Sequence, residues 1–180
     1  MRKFFLFVWE TFKIVIFALA IVIPVRYYLI QPFFVNGASM EPNFQDGEYL
    51  IVDEISYQFL EPKRGEVIVF KYPINPSQYF IKRIIGLPNE TIEIKDGKIV
   101  IYNDEFSDGQ IIDESLYGPF KMTNHGTSKF ILKDDEYFVL GDNRGASSDS
   151  RQWGSLLKKY IVGRVWIRAW PIDSVKVFEY

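Results

Sequence analysis

The sequence predicts a mainly β protein, in which an N-terminal transmembrane helix precedes a compact antiparallel β domain with a small inserted β subdomain. Three observations predict this fold class. An uncharged apolar run occupies residues 14–25. Short apolar runs of strand length follow it, separated by turn residues. The dipeptide Asp96-Gly97 lies between two such runs, and both positions of a two-residue hairpin turn favour residues that tolerate positive φ.

Composition excludes several classes of protein. The chain has 180 residues, enough for one core of ordinary size, and its 48% hydrophobic content excludes a disordered chain. A net charge of −2 gives no basic field, so no nucleic-acid partner is expected. There is no Cys for a disulfide or a thiolate site. The single His125 lies in a polar run typical of a loop and cannot supply a multi-histidine zinc site, so no metal is predicted.

The N-terminal segment admits three interpretations, because its uncharged run of 12 residues is shorter than the ~20 of a spanning helix. A cleavable signal peptide would have small residues after the run, where Arg26-Tyr27-Tyr28 stands instead. A buried soluble helix would need a polar face, which the run lacks. An uncleaved anchor fits best, since Glu10 and Lys13 can pair on one helix face and Arg26 can reach the lipid interface.

The charges on either side of this anchor predict its orientation. Arg2, Lys3 and Lys13 precede the span, so the positive-inside rule places the N-terminus in the cytoplasm. The first stretch after the span carries five acidic residues: Glu41, Asp46, Glu48, Asp53 and Glu54. We therefore expect a single-pass protein of the cytoplasmic membrane whose remaining residues lie on the outer side, with the bilayer as a partner.

Strand-length runs fill most of the remaining sequence. They are residues 48–55, 66–72, 79–86, 91–102, 129–142 and 160–170. A short helical piece is expected around Ser155 to Tyr160. The predicted organisation is a cytoplasmic tip and anchor (1–31), a first part of the β domain (32–90), a small inserted subdomain (91–128) and a second part of the β domain (129–180).

Three clusters interrupt the β pattern, and the first is Ser39-Met40-x-Pro42. Pro42 fixes φ and prevents a helix or central strand from forming there, and Gly37 permits close approach of the backbone. Taken alone, Ser39 is either a turn residue or a nucleophile.

The second cluster is Lys82 and Arg83 within the apolar run 79–86. Because neighbouring strand residues point to opposite faces, one of the two cations must point inward or along a covered edge. One interpretation is an edge strand protected by charge against aggregation. The other is a buried lysine whose pKa is lowered by desolvation towards neutrality, where it can act as a general base.

The third cluster is GDNRGASSDSRQWG, residues 141–154. Alternating acidic residues and arginines can hold a loop rigid through bidentate ion pairs. The alternative interpretation is a charged loop that is exposed to solvent. Trp153-Gly154 at its end indicates that the loop docks on the rest of the protein.

In this order, the three clusters resemble those of type I signal peptidases, the membrane-bound Ser-Lys proteases that remove signal peptides. Ser39-Met40-x-Pro42 is similar to the nucleophile motif, and residues 82–88 are similar to the general-base motif. Gly141-Asp142-Asn143-Arg144-x-x-Ser147-x-Asp149-Ser150-Arg151 is similar to the most diagnostic motif at every defined position. The resemblance extends from the anchor to about residue 170.

The resemblance implies Ser39 as nucleophile, Lys82 as general base and no cofactor. It implies that Ser147 hydrogen-bonds and aims the lysine amine. It also implies supporting ion pairs, Asp149 with Arg151 and Asp142 with Arg83 or Arg144. The partners are then signal peptides, bound extended beside edge strands so that residues −1 and −3 enter shallow pockets suited to Ala-x-Ala. The expected walls are the strands around 48–55 and 79–86.

Two positions depart from the family pattern. Gly37 stands where some members have a serine that donates to the oxyanion, so the hole would rely on backbone N–H groups, chiefly that of Ser39. Asn89 stands where glycine is common, and Asn is among the non-glycine residues that best tolerate positive φ.

Other functions are weighed against this one. A silent, membrane-anchored β module that binds extended peptides should lack Ser39 or Lys82, and both are present. A self-cleaving Ser-Lys regulator would carry a DNA-binding domain in place of the apolar N-terminus. A peptidase dedicated to one secretion or conjugation substrate shares every feature above and stays open.

Overall fold

The computed structural model describes residues 2–28, 30–118, 120 and 127–180. The helices are α1 (Arg2–Tyr28) and α2 (Ser150–Trp153). The strands are β1 (Ile30–Phe34), β2 (Tyr49–Asp53), β3 (Val67–Lys71), β4 (Tyr79–Gly86), β5 (Thr91–Lys95), β6 (Lys98–Tyr102), β7 (Gln110–Ile111), β8 (Ser128–Ile131), β9 (Glu136–Leu140), β10 (Leu156–Leu157), β11 (Ile161–Trp170) and β12 (Lys176–Val177). His125, predicted to lie in a loop, is outside the described residues.

The larger sheet has the order β1-β2-β11-β3-β4-β9-β10, with β12 added to β11. Every pair of neighbouring strands in it is antiparallel, so the predicted mainly β, antiparallel class is confirmed. β4 is an interior strand, paired with β3 through residues 79–83 and with β9 through residues 83–86. Lys82 and Arg83 therefore lie on opposite faces of an interior strand.

The smaller sheet has the order β7-β6-β5-β8 and is inserted between β4 and β9. Asp96 and Gly97 have φ of 49° and 74° and connect β5 to β6, which confirms the predicted hairpin. Asn89, with φ of 65°, confirms the expected turn. The sheet ends at Ile131 and not at the predicted boundary of 128, because β8 pairs with β5 and not with the larger sheet.

An apolar cluster joins the two sheets. Ile85 and Phe138 of the larger sheet pack with Ile92 and Leu132 of the insertion, and all four are buried. Gly86 leaves no room beside it, since an added Cβ would lie 2.7 Å from Ile92 Cδ1. Because this cluster covers the end of β4, it holds in place the strand that carries Lys82.

Helix α1 is longer than the predicted apolar run. Its large apolar side chains are exposed, for example Phe5 at 70% and Phe17 at 73%. The expected pair of Glu10 and Lys13 forms, with 2.8 Å between Oε1 and Nζ. Within the described ranges, no helix combines the length and hydropathy that a membrane crossing requires.

One local prediction was only partly right, and one strand was not predicted. The helical piece expected at Ser155 to Tyr160 is instead β10 followed by a 3₁₀ turn, while the α-helix is α2. Asp149 caps α2 by accepting from Arg151 N–H, and Gly154, with φ of 88°, follows its last residue, so the helix begins and ends earlier than expected. β1 was not predicted. Its Pro32 is tolerated because β1 is an edge strand of the sheet.

Candidate active site

Ser39 lies in a tight turn that starts where the chain leaves β1. Glu41 N–H donates to Ala38 O at 3.2 Å and closes the turn. Met40 is fully buried and Ser39 is partly exposed, so the turn is anchored by its apolar residue and presents the serine. Ser39 is therefore a turn residue, and that position leaves its hydroxyl free to face another element.

The element that Ser39 faces is β4. Lys82 Nζ lies 2.7 Å from Ser39 Oγ and 2.7 Å from Ile81 O, and Lys82 is only 3% exposed. On the same face, Nζ lies 5.3 Å from the centre of the Phe80 ring, and the strand partner of Lys82 is the buried Ile68. The alternative interpretation of Lys82 as a charge guarding a sheet edge is wrong, because the amine is buried and lies against Ser39 Oγ and the Phe80 ring.

Burial changes the protonation of this amine. Desolvation lowers the pKa of Lys82 from 10.5 to about 8, although the negative charges of Asp149 and Asp142 raise it. The neutral amine is thus available near physiological pH, and it has a lone pair that can accept a proton from a neighbouring hydroxyl.

Arg83, on the other face of β4, forms a buried ion pair with Asp142. Nε–Oδ1 is 2.9 Å and the second guanidinium nitrogen lies 2.7 Å from Oδ2. The same guanidinium donates to Gly65 O at 2.7 Å, and Asn43 Nδ2 donates to Asp142 Oδ2 at 2.8 Å. Of the two arginines predicted for Asp142, Arg83 is the one that the structure pairs with its carboxylate.

Arg144 pairs elsewhere. Its guanidinium lies 2.5 Å from Glu114 Oε1 in the insertion, and its Nε donates to Gly141 O at 3.0 Å. The 141–154 loop is thus tied to the inserted subdomain as well as to β4.

Asp149 also forms an ion pair within this loop, with the partly buried Arg151, through two bonds of 2.8 Å. Asp149 Oδ2 also accepts from Gly141 N–H at 3.0 Å. Since Asp149 is fully buried, the pair holds the start of α2 against the end of β9. The loop is therefore rigid and docked, as its charge pattern and Trp153 indicated.

Comparison with known proteins gives the family. Residues 8–170 match the family described as signal peptidase, peptidase S26. The chain belongs to this family. The resemblance drawn from the three motifs is thereby confirmed.

Signal peptidases with similar sequences come from several bacteria. A probable signal peptidase I-2 of Synechocystis sp. is 33% identical over 92% of this chain and 75% of its own. Signal peptidase I of Leptolyngbya laminosa is 34% identical over 92% and 81%, and signal peptidase IB of Staphylococcus aureus is 31% identical over 88% and 87%. A crystal structure of signal peptidase I from Enterococcus faecalis, 29% identical, aligns with 58% of this chain and 97% of its own at a TM-score of 0.47.

One contact predicted for the site is not formed. Ser147 is buried, but within the part of the chain described its Oγ has no hydrogen-bond partner, and it does not bond to Lys82. Its side chain packs directly against Gly141, where an added Cβ would also lie 2.5 Å from Ser39 O. Ser147 is thus close to the turn of the serine, and its role towards the lysine stays a prediction.

Two amides in the site were not singled out from the sequence. Asn43 bonds Asp142 and also Tyr117 O, and Asn143 bonds the carbonyls of Ala38 and Ser39. The only signal in the sequence was their position: Asn43 follows the Ser39 motif, and Asn143 lies within the 141–154 motif.

Proposed function

We propose that this chain is a membrane-anchored serine endopeptidase that removes signal peptides by cleaving after Ala-x-Ala, with Ser39 as nucleophile and Lys82 as general base. The observation that carries the proposal is the 2.7 Å contact between Lys82 Nζ and Ser39 Oγ, made by an amine that is 3% exposed. An activated serine requires an adjacent base within hydrogen-bond reach, and this pair meets that requirement without histidine.

The mechanism follows from the protonation of the lysine. Neutral Lys82 takes the hydroxyl proton as Ser39 Oγ attacks the scissile carbonyl carbon, and the carbonyl oxygen becomes an oxyanion. When this intermediate collapses, the proton passes from Nζ to the departing amine of the mature protein. Water then attacks the acyl carbon and gives one proton to Lys82. When this second intermediate collapses, the bond from the acyl carbon to Ser39 Oγ breaks, Nζ returns the proton to Oγ, and the signal peptide leaves with a free carboxylate.

The neighbouring contacts support this assignment by orienting the amine. A neutral lysine has two N–H groups and one lone pair. One N–H donates to Ile81 O at 2.7 Å. That bond turns the lone pair towards Ser39, so the base is held ready before substrate arrives.

Part of β4 next to Ser39 and Lys82 has an open edge, to which the backbone of an extended substrate can bind. β9 pairs with β4 only from Arg83 onward, so residues 79–82 have no strand on that side in the described chain. Ile84 N–H donates to Glu66 O on the β3 side, and strand alternation therefore turns Ile81 to the open side. An extended peptide pairing with Ile81 would place alternate side chains, −1 and −3, on one face. The second wall expected, 48–55, is not an edge, because β2 pairs with both β1 and β11.

The membrane anchor is supported by the exposed apolar surface of α1, because such a surface is unfavourable in water and favourable in lipid. Arg2 and Lys3 lie at its start, which favours a cytoplasmic N-terminus and a catalytic domain on the outer side. The β domain carries an exposed row of aromatic side chains of its own: Phe34 pairs with Tyr49, and Tyr49 with Trp170. Phe33, by contrast, packs against the core.

The test is cleavage of a preprotein with an Ala-x-Ala site in detergent–lipid micelles by the intact chain, Ser39→Ala and Lys82→Met. Matched controls are Ser128→Ala and Lys95→Met, which change exposed residues of the smaller sheet. We expect cleavage after the second Ala by the intact chain and both controls, and none by the two site variants, whose circular dichroism is unchanged.

Other outcomes separate the alternatives. Full-rate cleavage by Lys82→Met would mean that another group is the base. An intact chain that binds Ala-x-Ala peptides without cutting them would favour the silent β module. Cleavage confined to one preprotein of a panel would identify a dedicated peptidase.

A further inference from the structure

Asn143 donates hydrogen bonds to two consecutive backbone carbonyl groups, those of Ala38 and Ser39. Its backbone N–H donates to Ser39 O at 3.1 Å, and its side-chain Nδ2 donates to Ala38 O at 3.1 Å. One residue of the 141–154 loop therefore fixes the turn of the serine by two independent bonds. Asn143 contacts neither Ser39 Oγ nor Lys82 Nζ through these bonds, so it does not take part in proton transfer.

The bond to Ala38 O determines where Ser39 N–H points. In a planar trans peptide the carbonyl oxygen and the following N–H point in opposite directions. With Ala38 O held towards Asn143 and Glu41 N–H, the Ser39 N–H points away from both. In the described ranges this N–H donates to no protein acceptor, whereas the nearby Gly37 N–H is engaged by Asp46 Oδ1 at 2.7 Å.

We propose that Asn143 is a positioning residue, which orients the Ser39 N–H to stabilise the oxyanion formed during cleavage. This inference rests on the proposed function of Ser39 as nucleophile. It matters here because Gly37 offers no side-chain donor, so the backbone N–H of Ser39 carries the stabilisation. In other enzymes the loss of one such donor costs roughly 10²–10³ in rate.

Two substitutions separate the orienting bond from the packing of the side chain. Asn143→Ala removes the Nδ2 donor and leaves Ala38 O with the turn bond from Glu41. Asn143→Asp keeps the shape but places a carboxylate oxygen against Ala38 O, and two acceptors repel each other. Neither removes the backbone bond to Ser39 O. Asn75→Asp is the matched control, because Asn75 lies in an exposed turn and uses only its Oδ1, which a carboxylate also provides.

The experiment compares kcat and KM for a soluble Ala-x-Ala peptide with the affinity for the corresponding peptide aldehyde. In the aldehyde adduct Ser39 Oγ bonds to the aldehyde carbon, its proton moves to Lys82, and the carbonyl oxygen becomes the alkoxide that Ser39 N–H would bind. We expect kcat to fall about 10-fold in Asn143→Ala and about 10²-fold or more in Asn143→Asp, with KM changed less than about 3-fold. Aldehyde affinity should fall in parallel with kcat, and Asn75→Asp should match the intact chain.

Three results would overturn the inference: an unchanged kcat in Asn143→Asp, a loss confined to KM, or a lower kcat with undiminished aldehyde affinity. A thermal unfolding curve of each variant gives the folded fraction at the assay temperature. A fall in activity that the unfolded fraction explains would also count against the inference. Ser39→Ala distinguishes the underlying proposal: if it cleaves at the full rate, Ser39 is not the nucleophile and both proposals fail.

Discussion

Arg83 and Asp142 are joined by two hydrogen bonds, of 2.9 and 2.7 Å, in a site where both side chains are buried. Arg83 is next to Lys82 in the chain, and Asp142 is next to Asn143. The pair therefore fastens the strand of the proposed base to the loop that holds the turn of the proposed nucleophile.

Breaking this pair on one side should be costly. We expect Arg83→Met or Asp142→Leu to lower the free energy of unfolding by about 3–5 kcal/mol, because each leaves a buried charge without its partner. The double variant should lose less than the sum of the two. Urea unfolding gives all three values. Lys158→Met, which breaks the exposed pair with Glu61, should cost about 1 kcal/mol or less; an equal cost there would contradict the argument.

Activity should rise with pH through the pKa of Lys82. Only the neutral amine can accept the serine proton, and burial places this pKa at about 8. Below pH 8 we expect kcat/KM for a peptide without titratable groups to fall about tenfold for each pH unit, as the protonated fraction increases. Initial rates between pH 6 and 10 measure this limb. A profile that is flat down to pH 6 would exclude a lysine of this pKa as the base.

The same amine should destabilise the fold at neutral pH. Since its pKa is lowered from 10.5 to about 8, the folded state binds fewer protons than the unfolded state between these values. The penalty, about 3 kcal/mol, is fully present below pH 8 and disappears as pH rises towards 10.5. Lys82→Met should therefore unfold at higher urea than the intact chain at pH 7, and this advantage should shrink by pH 10. A constant difference would show that packing, and not protonation, is responsible.

The aromatic row should matter only at a membrane. Replacing Phe34 and Trp170 with Ser removes exposed apolar surface, which we expect to weaken lipid contact by about 1 kcal/mol or more for each side chain. Cleavage of a preprotein held in vesicles should fall roughly 30-fold or more, while kcat/KM for a soluble peptide stays constant. Ile131→Ser, an equally exposed change on the smaller sheet, is the control. An equal loss on both substrates would contradict a lipid contact.

Strand period and turn chemistry made most of the fold predictable. The runs at 66–72 and 79–86 became β3 and β4 nearly residue for residue, because a short apolar run bounded by turn residues is a local property of the sequence. β1 was missed since its apolar residues continue the N-terminal segment and include Pro32. Strands of two residues, such as β10, are too short to leave a period in the sequence.

The site was predictable as a set of residue types and not as a set of contacts. Ser39 and Lys82 are 43 positions apart, and only the motifs indicated that they come together. The partner of Arg144 is Glu114, in an insertion whose docking no local pattern specifies. Asn143 bonds to backbone carbonyl groups. Because every residue has such a group, the sequence does not indicate which of them Asn143 contacts.

Lys82 and Arg83 are neighbours in β4 and point to opposite faces of the sheet. The register of β4 therefore decides which of the two cations faces Ser39. If β4 moved by one residue relative to β3, a guanidinium would face Ser39 and an ammonium would face Asp142. The guanidinium stays charged at every accessible pH and has no lone pair to offer, and the ammonium lacks the planar fork that a carboxylate binds twice. Such a slipped form would have the same composition and net charge but no peptidase activity. It would be detected as a fraction of folded protein that does not cleave substrate.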